Sequence, residues 1–166
     1  MNALPCIYIA KACHLKEESI LNGLAHLEMT KMRTQLIPVQ NAYILDDTYK
    51  SNPESAKAAI DTLMVLPARK HIAILSDMLD LGSEEKQLHY DVGEYAKEKG
   101  VDALYCTGPL SKETSDGFNG NWYETKDEIY EAVKPLLEED CVILIKGSRA
   151  MKMDTLVDAF RGNDNE

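Results

Sequence analysis

From about residue 41 onward the chain alternates short apolar runs with amphipathic stretches. The runs are five to seven residues long and rich in β-branched and aromatic residues. This pattern is typical of strands that are buried on both faces of a sheet. A similar run at 33–39 predicts one short strand ahead of them. The five main runs lie at 42–47, 71–77, 102–108, 121–125 and 141–147.

The segments between the runs repeat apolar residues every three or four positions, which is the spacing of one helix face. Residues 53–66, for example, place Ala56, Ile60 and Leu63 on the same side. Helices are predicted at 2–13, 16–28, 53–66, 84–99, 126–138 and 149–161. Because strands alternate with helices, the predicted fold class is α/β. We expect a three-layer, Rossmann-like, mostly parallel sheet of about five to six strands with an N-terminal helical segment.

Acidic residues outnumber basic ones, with 28 Asp and Glu against 18 Lys and Arg, which gives a net charge of −10. Nucleic-acid binding needs clustered positive charge, so no nucleic-acid partner is expected. No apolar run reaches the roughly 18 residues that span a bilayer, and the N-terminus lacks the features of a signal peptide. We therefore expect a cytoplasmic protein without a membrane partner.

Four cysteines are spread along the chain without a C-x-x-C pair, at Cys6, Cys13, Cys106 and Cys141. Reduced, mostly buried thiols in a cytosolic protein are the simplest interpretation. A metal site built from these cysteines and the four histidines would lack the usual ligand spacing. Cys106 as a nucleophile has no supporting motif around it. No metal site is therefore predicted within this chain.

Polar residues collect where the predicted strands end, and open parallel sheets bind ligands outside the carboxyl ends of their strands. Asp46 and Asp47 end the first main strand, and Asp77 ends the second. The fifth strand runs into Lys146-Gly147-Ser148-Arg149. This turn brings two cations and backbone N–H groups to the start of a helix, which predicts an anion site.

These positions also have simpler structural interpretations. Asn52 followed by Pro53 is a good N-cap with Pro at the first helical position, so helix initiation alone would explain the pair. Asp77 and Asp80 would then be solvated loop carboxylates. His89 lies within an amphipathic pattern and is expected to pack rather than to catalyse.

Four segments carry motifs in a recognisable order: LEMTKMRTQ (27–35), DDTYKSNPES (46–55), ILSDMLDLG (74–82) with His89 downstream, and VILIKGSRAMKMDTLV (142–157). The second resembles the DD-x-Y-N-x-N-P-x-S signature of Mur ligases. The third resembles their L-G-D-M-x-E-L-G motif with its later His, and the fourth their V-L-V-K-G-S-R motif. The first resembles the segment that carries an Arg just before the family's C-terminal domain. The opening Asn2-Ala3-Leu4 is similar to an Asn-containing segment of the central domain.

The chain departs from the family pattern at three positions. Ser76 and Met32 stand where Gly is usual, and Lys50 stands where Asn is usual. None of these changes removes a charged group of the pattern. Lys50 adds a charge beside the implied phosphate path.

The motifs are similar to those of the members that add D-alanyl-D-alanine to UDP-N-acetylmuramoyl-tripeptide in peptidoglycan precursor synthesis. The resemblance implies ATP-dependent amide ligation, in which the tripeptide carboxylate becomes an acyl phosphate before the dipeptide amine attacks it. It also implies that residues 1–40, two helices and a short strand, are the tail of the central ATPase domain. Residues 41–166 would then form the C-terminal domain.

For the nucleotide, the resemblance implies four binding residues. Asn2 would face the adenine, Arg33 the ATP phosphates, Asp47 the ribose hydroxyls, and Tyr49 the nucleotide or the acyl phosphate. The family's Mg²⁺ ligands and phosphate loop belong to the central domain. This chain contains no G-x-x-G-K-[ST] sequence. The missing N-terminal and central domains of the same polypeptide are therefore expected partners, and the isolated chain is expected to be inactive.

The resemblance implies a catalytic set of four further residues. Asn52 would line the acyl-phosphate side. Lys146, Ser148 and Arg149 would hold the incoming dipeptide or the charge that develops during the reaction.

Two other interpretations remain open from the sequence. A phosphoacceptor receiver domain also has acidic residues after its first strand, then Asp, Thr and Lys at later strand ends. Asp77, Thr107 and Lys146 mimic that set, although Asp77 ends the second main strand whereas a receiver's phosphoacceptor ends its third. The other interpretation is a ligase-derived binding module without catalysis.

Overall fold

The computed structural model describes residues 4–26 and 31–162. Contacts between residues divide the chain into two compact units, with the division between residues 30 and 31. The first unit contains two helices, α1 (Leu4–Ala12) and α2 (Glu17–Ala25). No residue of either helix is buried among those described. Helices are present within the predicted ranges 2–13 and 16–28, of which residues 2, 3, 27 and 28 lie outside the described part of the chain. Their described residues form no buried core.

The second unit is built on one six-stranded sheet. Its strand order is β1-β2-β6-β3-β4-β5, and all neighbours are parallel except β1 and β2. The strands are β1 (Gln35–Val39), β2 (Ala42–Asp47), β3 (Lys70–Ser76), β4 (Ala103–Thr107), β5 (Asn121–Tyr123) and β6 (Cys141–Lys146). Every predicted strand is present, which confirms the mostly parallel α/β sheet.

Five helices cover the two faces of this sheet. They are α3 (Pro53–Val65), α4 (Glu85–Lys99), α5 (Ser111–Phe118), α6 (Lys126–Val133) and α7 (Asp154–Phe160). One buried layer joins alternate strand residues such as Ile74 and Ile143 to α6 and α7. The other joins the intervening residues, such as Leu75 and Leu144, to α3 and α4. Because β3 and β6 are apolar on both sides, they form the centre of a three-layer domain.

The helix boundaries follow local signals where such signals exist. The Asn52 side chain accepts a hydrogen bond from the Ser55 N–H at 2.8 Å and begins α3. Thr125 and Glu128 form a reciprocal capping box that begins α6. The predicted helix 126–138 continues only as a 3-10 turn after Val133. Pro135 lies in that turn and has no N–H to donate, so it cannot extend the α-helix.

The predicted helix at 149–161 is shorter than expected. Residues Arg149–Met151 form a 3-10 turn, and Lys152 adopts a left-handed backbone with φ +49° before α7 begins. For α4, the sequence predicts a buried face of Leu88, Val92 and Tyr95. Val92 is buried, Leu88 and Tyr95 are partly buried, and His89, Gly93 and Ala96 complete the buried face.

The strand β1 belongs to the same sheet as the rest of the second unit. Its Val39 pairs with Ala42 across a two-residue turn, and Gln35 pairs with Asp46 at the far end. The contact-based division of the chain therefore falls about ten residues before the predicted boundary at 40/41. The assignment of the N-terminal segment to a central ATPase domain stays a prediction.

Candidate functional site: a crevice at the carboxyl ends of β2, β6 and β3

The strand order creates a crevice at one edge of the sheet. The chain leaves β2 and β3 toward α3 and α4 on one face, whereas it leaves β6 toward α7 on the other face. Because β6 lies between β2 and β3, the connections diverge at its carboxyl end. Ligands of open α/β sheets bind where connections diverge in this way. Asp47, Lys146 and Ser76 lie at these three strand ends.

Lys146 and Asp47 form a largely buried ion pair at the centre of this edge. The Lys146 Nζ lies 2.5 Å from the Asp47 Oδ2. The Lys146 side chain is 1% exposed and that of Asp47 is 17% exposed. The same Nζ donates a second hydrogen bond to the carbonyl oxygen of Lys50 at 2.7 Å. The pair results from strand register, since Asp47 and Lys146 are direct partners in the parallel β2–β6 ladder.

The segment 32–34, just before β1, packs onto the same edge. The Thr34 N–H donates to the Asp47 Oδ1 at 3.1 Å, and the Tyr49 N–H donates to the Met32 carbonyl oxygen at 3.1 Å. The Arg33 guanidinium carbon lies 4.3 Å from the centre of the Tyr49 ring. This distance is typical of a cation–π contact. The structure thus brings together Arg33, Asp47 and Tyr49, three of the residues predicted on the nucleotide side.

Asp46 points to the opposite face of β2 from Asp47 and is buried. Its Oδ1 accepts hydrogen bonds from the Thr48 N–H at 3.1 Å and the Thr48 hydroxyl at 2.7 Å. Burial raises the pKa of the Asp46 carboxyl, and the negative charges of Asp47 and Asp154 add to the rise. The hydrogen bonds from Thr48 act in the other direction but are outweighed. Asp46 therefore stabilises the turn after β2 and has little access to a ligand.

We expect the Asp46→Asn variant to gain stability relative to the parent chain as the pH rises. Asn keeps the oxygen that accepts from Thr48, and it removes the charge. Because the folded-state pKa of Asp46 is raised, the folded protein holds this proton more tightly than the unfolded chain. The contribution of Asp46 to the stability of the folded state is therefore fully present below the ordinary Asp pKa of about 3.9. It declines as the pH rises through the pKa of the folded state. Urea denaturation of both proteins across this pH range measures the difference, and a constant difference would contradict the prediction.

Asp77 lies at the end of β3 and is buried, contrary to its interpretation as a solvated loop residue. Its Oδ1 accepts from the N–H and the hydroxyl of Ser111, both at 2.7 Å. Ser111 is the first residue of α5, so Asp77 caps this helix from another part of the chain. Gly108, with φ +106°, lies directly against the carboxylate. The role that these contacts support for Asp77 is structural.

Two residues hold the loop that follows Asp77. The Ser148 hydroxyl accepts from the Leu79 N–H at 3.1 Å, and the Ser148 N–H donates to the Asp77 carbonyl oxygen at 3.2 Å. The buried His89 accepts from the Met78 N–H through Nε2 at 2.9 Å. Its Nδ1 donates to the Glu85 carbonyl oxygen at 2.6 Å, which identifies the tautomer. His89 thus packs and positions the loop, as the helical pattern predicted.

Arg149 is the exposed cation of the turn that follows β6. Its Nη1 lies 2.7 Å from the Asp154 Oδ2, and its side chain is 57% exposed. The sequence predicts two cations at this turn that are available to an anion. In the structure, Lys146 and Arg149 each have a carboxylate partner within the fold. The helical turn at Arg149 is also only three residues long, too short for a substantial helix dipole. Of the two cations, Arg149 has the side chain that solvent reaches.

The Ser76 side chain occupies space that a Gly at this position would leave empty. Its Oγ would lie 1.9 Å from a Cβ built on Gly147, so the hydroxyl packs directly over that residue. This oxygen is buried and has no hydrogen-bond partner among the described residues. Ser76, which stands where the family motif has Gly, thus leaves no room for a side chain at position 147.

The remaining predicted site residues are accounted for as follows. The Asn52 Oδ1 is occupied in the α3 cap, and this residue is exposed. Asn2 lies outside the described residues. Sequence reasoning missed Thr34, Ser111 and Asp154, which bind Asp47, Asp77 and Arg149. The partners are 13, 34 and 5 positions apart in the chain. No periodic pattern links residues at such separations.

The cysteines do not contribute to the site. Cys106 and Cys141 are buried in β4 and β6, whereas Cys6 and Cys13 are exposed, so only half of the burial prediction holds. Burial raises the pKa of the Cys106 thiol far above its ordinary value, which argues against a nucleophilic role. Within the described ranges, no three His, Cys, Asp or Glu side chains come together as a group that could hold a metal ion. The same ranges contain no helix that is long and apolar enough to cross a membrane.

Comparison with known proteins identifies the family to which the chain belongs. A family model described as Mur ligase, glutamate ligase domain, matches residues 32–149, well over half of the chain. The chain belongs to the Mur ligase family. The match begins at Met32 and ends at Arg149, so it includes the Arg33 segment, the crevice and the basic turn of this Mur ligase domain.

Curated relatives are similar along nearly the whole Mur ligase chain. The UDP-N-acetylmuramoyl-tripeptide–D-alanyl-D-alanine ligase of Escherichia coli is 33% identical over 168 residues, covering 98% of this chain and 36% of the relative. The protein of the same name from Rickettsia prowazekii is 32% identical over 142 residues, covering 83% and 32%. The chain therefore spans about a third of the length of these relatives.

Solved structures agree with the fold of this Mur ligase chain. A crystal structure of MurF from Acinetobacter baumannii has a TM-score of 0.84 at 25% identity, covering 97% of this chain and 36% of that one. The MurF ligase of Thermotoga maritima, solved in complex with ADP, has a TM-score of 0.81 at 21% identity, covering 95% and 36%. The second similarity is one of fold.

Proposed function

We propose that this chain is the C-terminal part of an ATP-dependent ligase that adds D-alanyl-D-alanine to UDP-N-acetylmuramoyl-tripeptide. The observation that carries the proposal is the crevice at the ends of β2 and β6. There Arg33 stacks on Tyr49, Lys146 holds Asp47, and the Arg149 Nη1 lies 3.5 Å from the Sδ of Met32, the neighbour of Arg33. Family membership and the names of the curated relatives support the reaction class. The chain corresponds to about a third of those relatives, so we propose that it acts together with the N-terminal and central domains of one polypeptide.

The nucleotide side of the proposed site has groups that suit ATP. Arg33 offers a guanidinium for the phosphates, and its ring partner Tyr49 is partly exposed. Asp47 is partly accessible despite its ion pair, and its carboxylate suits the ribose hydroxyls. We propose that these three residues bind ATP. The Mg²⁺ that accompanies ATP would be held by residues of the central domain.

The acceptor side of the proposed site lies around Ser148 and Arg149. When bound, ATP supplies the phosphoryl group that activates the tripeptide carboxylate as an acyl phosphate. The dipeptide amine then attacks the carbonyl carbon, and phosphate leaves from a tetrahedral oxyanion intermediate. A preorganised cation stabilises such developing negative charge because its placement costs no reorganisation during the reaction. Arg149, half of whose side chain is exposed, is the residue we propose for this role, with Ser148 holding the adjoining loop.

Two features speak against a receiver-like phosphoacceptor. Numbered among the parallel strands alone, the order here is 1-5-2-3-4, whereas flavodoxin-like sheets have the order 2-1-3-4-5. In addition, the Asp77 Oδ1 accepts two hydrogen bonds from Ser111 in a buried position. A carboxylate held in this way is poorly placed to attack a phosphoryl donor.

A chimeric ligase tests the proposed function. The corresponding third of the Escherichia coli relative is replaced by this chain, and product formation from ATP, UDP-tripeptide and D-alanyl-D-alanine is followed by mass spectrometry. We expect product from the chimera and none from the isolated chain of 166 residues. Asp47→Asn in the chimera should raise the KM for ATP, because the carboxylate proposed to bind the ribose is lost. Asp116→Asn, the same change at an exposed residue of α5, is the matched control.

Three results would contradict the proposal. A folded chimera that binds ATP yet forms no product would refute the assigned reaction. Product from the isolated chain would refute its dependence on the other domains. Equal kinetics of the Asp47→Asn and Asp116→Asn chimeras would refute the assignment of Asp47 to the nucleotide.

A further inference from the structure

We propose that Lys146 is a positioning residue for the nucleotide side of the site and does not contact the incoming dipeptide. Its role is to fix Asp47 and, through Asp47, the segment that carries Arg33. The buried network is present in this chain whatever its function, whereas the consequence of the network for catalysis rests on the proposed function.

The first argument is that the Lys146 ammonium group is enclosed by the fold. Only 1% of the side chain is exposed, although Lys is among the residues that proteins bury least. Two of its three N–H donors bond to the Asp47 carboxylate and the Lys50 carbonyl oxygen. A substrate group would have to displace the turn 47–50 to reach Nζ. Lys146 is thus placed to hold this turn.

The second argument concerns charge. Removing one member of a buried ion pair leaves the other without its partner in a poorly solvated position. Asp47 would then be drawn toward water and away from the strand end. Asp47 and Lys146 are register partners at the end of the β2–β6 ladder. The other residues of β6 in this ladder, 142–145, are uncharged, so none of them replaces the missing charge. The position of the Asp47 carboxylate therefore depends on Lys146.

The third argument is that Asp47 holds a strained segment. Thr34 has φ +50°, a left-handed backbone that β-branched residues rarely adopt. Such a conformation persists only where surrounding contacts determine it. The contacts here are the Thr34 N–H to the Asp47 Oδ1 and the Tyr49 N–H to the Met32 carbonyl oxygen. Both bonds fix the backbone on either side of Arg33.

These contacts form one chain of dependence. Lys146 fixes Asp47, Asp47 fixes Thr34, and the fixed backbone presents Arg33 to the Tyr49 ring at 4.3 Å. All the functional groups placed in this way belong to the nucleotide side of the proposed site. Loss of Lys146 should therefore impair ATP binding, and leave the affinity for the dipeptide nearly unchanged.

The network is tested by NMR on the chain itself, with amide hydrogen exchange measured in the Lys146→Met variant. We expect the amides of Thr34 and Tyr49 to exchange about 10-fold faster, because each loses roughly the net free energy of one hydrogen bond. The amide of Ile74 in β3 reports global opening. Lys70→Met is the matched control, since it removes a Lys from an exposed pair with Glu139 at the same distance of 2.5 Å. It should leave Thr34 unchanged.

A second variant separates local opening of the Arg33 segment from a loss of overall stability. If Ile74 also exchanges faster in Lys146→Met, the ratio of Thr34 to Ile74 exchange is read in Lys146→Gln. Gln keeps N–H donors without the charge, on a side chain one atom shorter than that of Lys, so this ratio should lie between those of the parent and the Met variant. Thr34 exchange that is as slow as in the parent, relative to Ile74, in both variants would overturn the proposed network.

The catalytic consequence is tested in the chimeric ligase. Lys146→Met should raise the KM for ATP about 10-fold and change the KM for D-alanyl-D-alanine by less than about twofold. A raised KM for the dipeptide with an unchanged KM for ATP would overturn the positioning role and assign Lys146 to the acceptor side. If the parent chimera is itself inactive, the proposed function fails, and the NMR result still decides whether Lys146 holds the Arg33 segment.

Discussion

Turnover should fall by about two orders of magnitude when Arg149 is replaced by Ala in the chimeric ligase, because loss of one preorganised donor costs about 3 kcal/mol in such sites. Arg149 donates hydrogen bonds to Asp154 and to the Met32 Sδ, yet more than half of its side chain is exposed. If the remaining donors meet the oxyanion that develops during amide formation, the variant loses stabilisation of the transition state. The KM for ATP should change little, since Arg33 is assigned to the phosphates. Steady-state kinetics and thermal melting measure both effects.

Two further variants distinguish catalysis from scaffolding. An exposed ion pair contributes about 0–1 kcal/mol, so a purely structural Arg149 predicts nearly normal kinetics after substitution. Asp154→Asn removes the partner and keeps the guanidinium, and it should therefore cost much less turnover than Arg149→Ala. Arg161→Ala, at an exposed residue after α7, controls for loss of a surface arginine. Turnover of Arg149→Ala within about threefold of the parent would show that the basic turn is scaffolding.

The largest effect on stability is expected for Gly108→Ala. A Cβ at this position would lie 2.4 Å from the Asp77 Oδ1 and 2.6 Å from its Cγ. Relief of this overlap requires Asp77 to move, which breaks its two hydrogen bonds to Ser111 at the start of α5. The positive φ of +106° adds backbone strain. We expect a loss of about 3–5 kcal/mol in the free energy of unfolding, in the range of severe single substitutions.

Gly100→Ala separates the two contributions. Gly100 also has a positive φ, of +83°, but a Cβ there would meet nothing within 4 Å. Its substitution should lower the free energy of unfolding by only about 1–2 kcal/mol, which is the cost of a left-handed backbone for a residue with a Cβ. Urea denaturation of both variants measures the difference. Equal losses would mean that Asp77 yields to the new methyl group and that its contact with α5 contributes little.

The parts of the fold that could be predicted are those with local signals. The strands β2, β3 and β6 have apolar residues on both faces, and α3 and α6 begin at caps formed within four residues of sequence. The helix α5 was missed because its cap is Asp77, 34 positions away. The burial of His89 in α4 has a similar cause, since its ring accepts a hydrogen bond from the Met78 N–H, 11 positions earlier in the chain.

The candidate site could be predicted in location but only partly in its contacts. Strand ends converge by topology alone, so the edge that holds Asp47 and Lys146 follows from the strand pattern. Their pairing depends on which strands are neighbours, and the chain reaches β6 only after β3, β4 and β5. For the same reason the basic turn was interpreted as a free anion site. Its counter-charges, Asp47 and Asp154, come from β2 and α7.

The cap that Asp77 provides also constrains the order in which the domain folds. An isolated helix of eight residues is far too short to be stable in water, and α5 has no side-chain cap of its own at Leu110. The hydrogen bonds from Ser111 become available only after the end of β3 has met the loop that leaves β4. We therefore expect nucleation of α5 to follow assembly of this part of the sheet. We also expect the helix and the sheet edge to open and close as one cooperative unit.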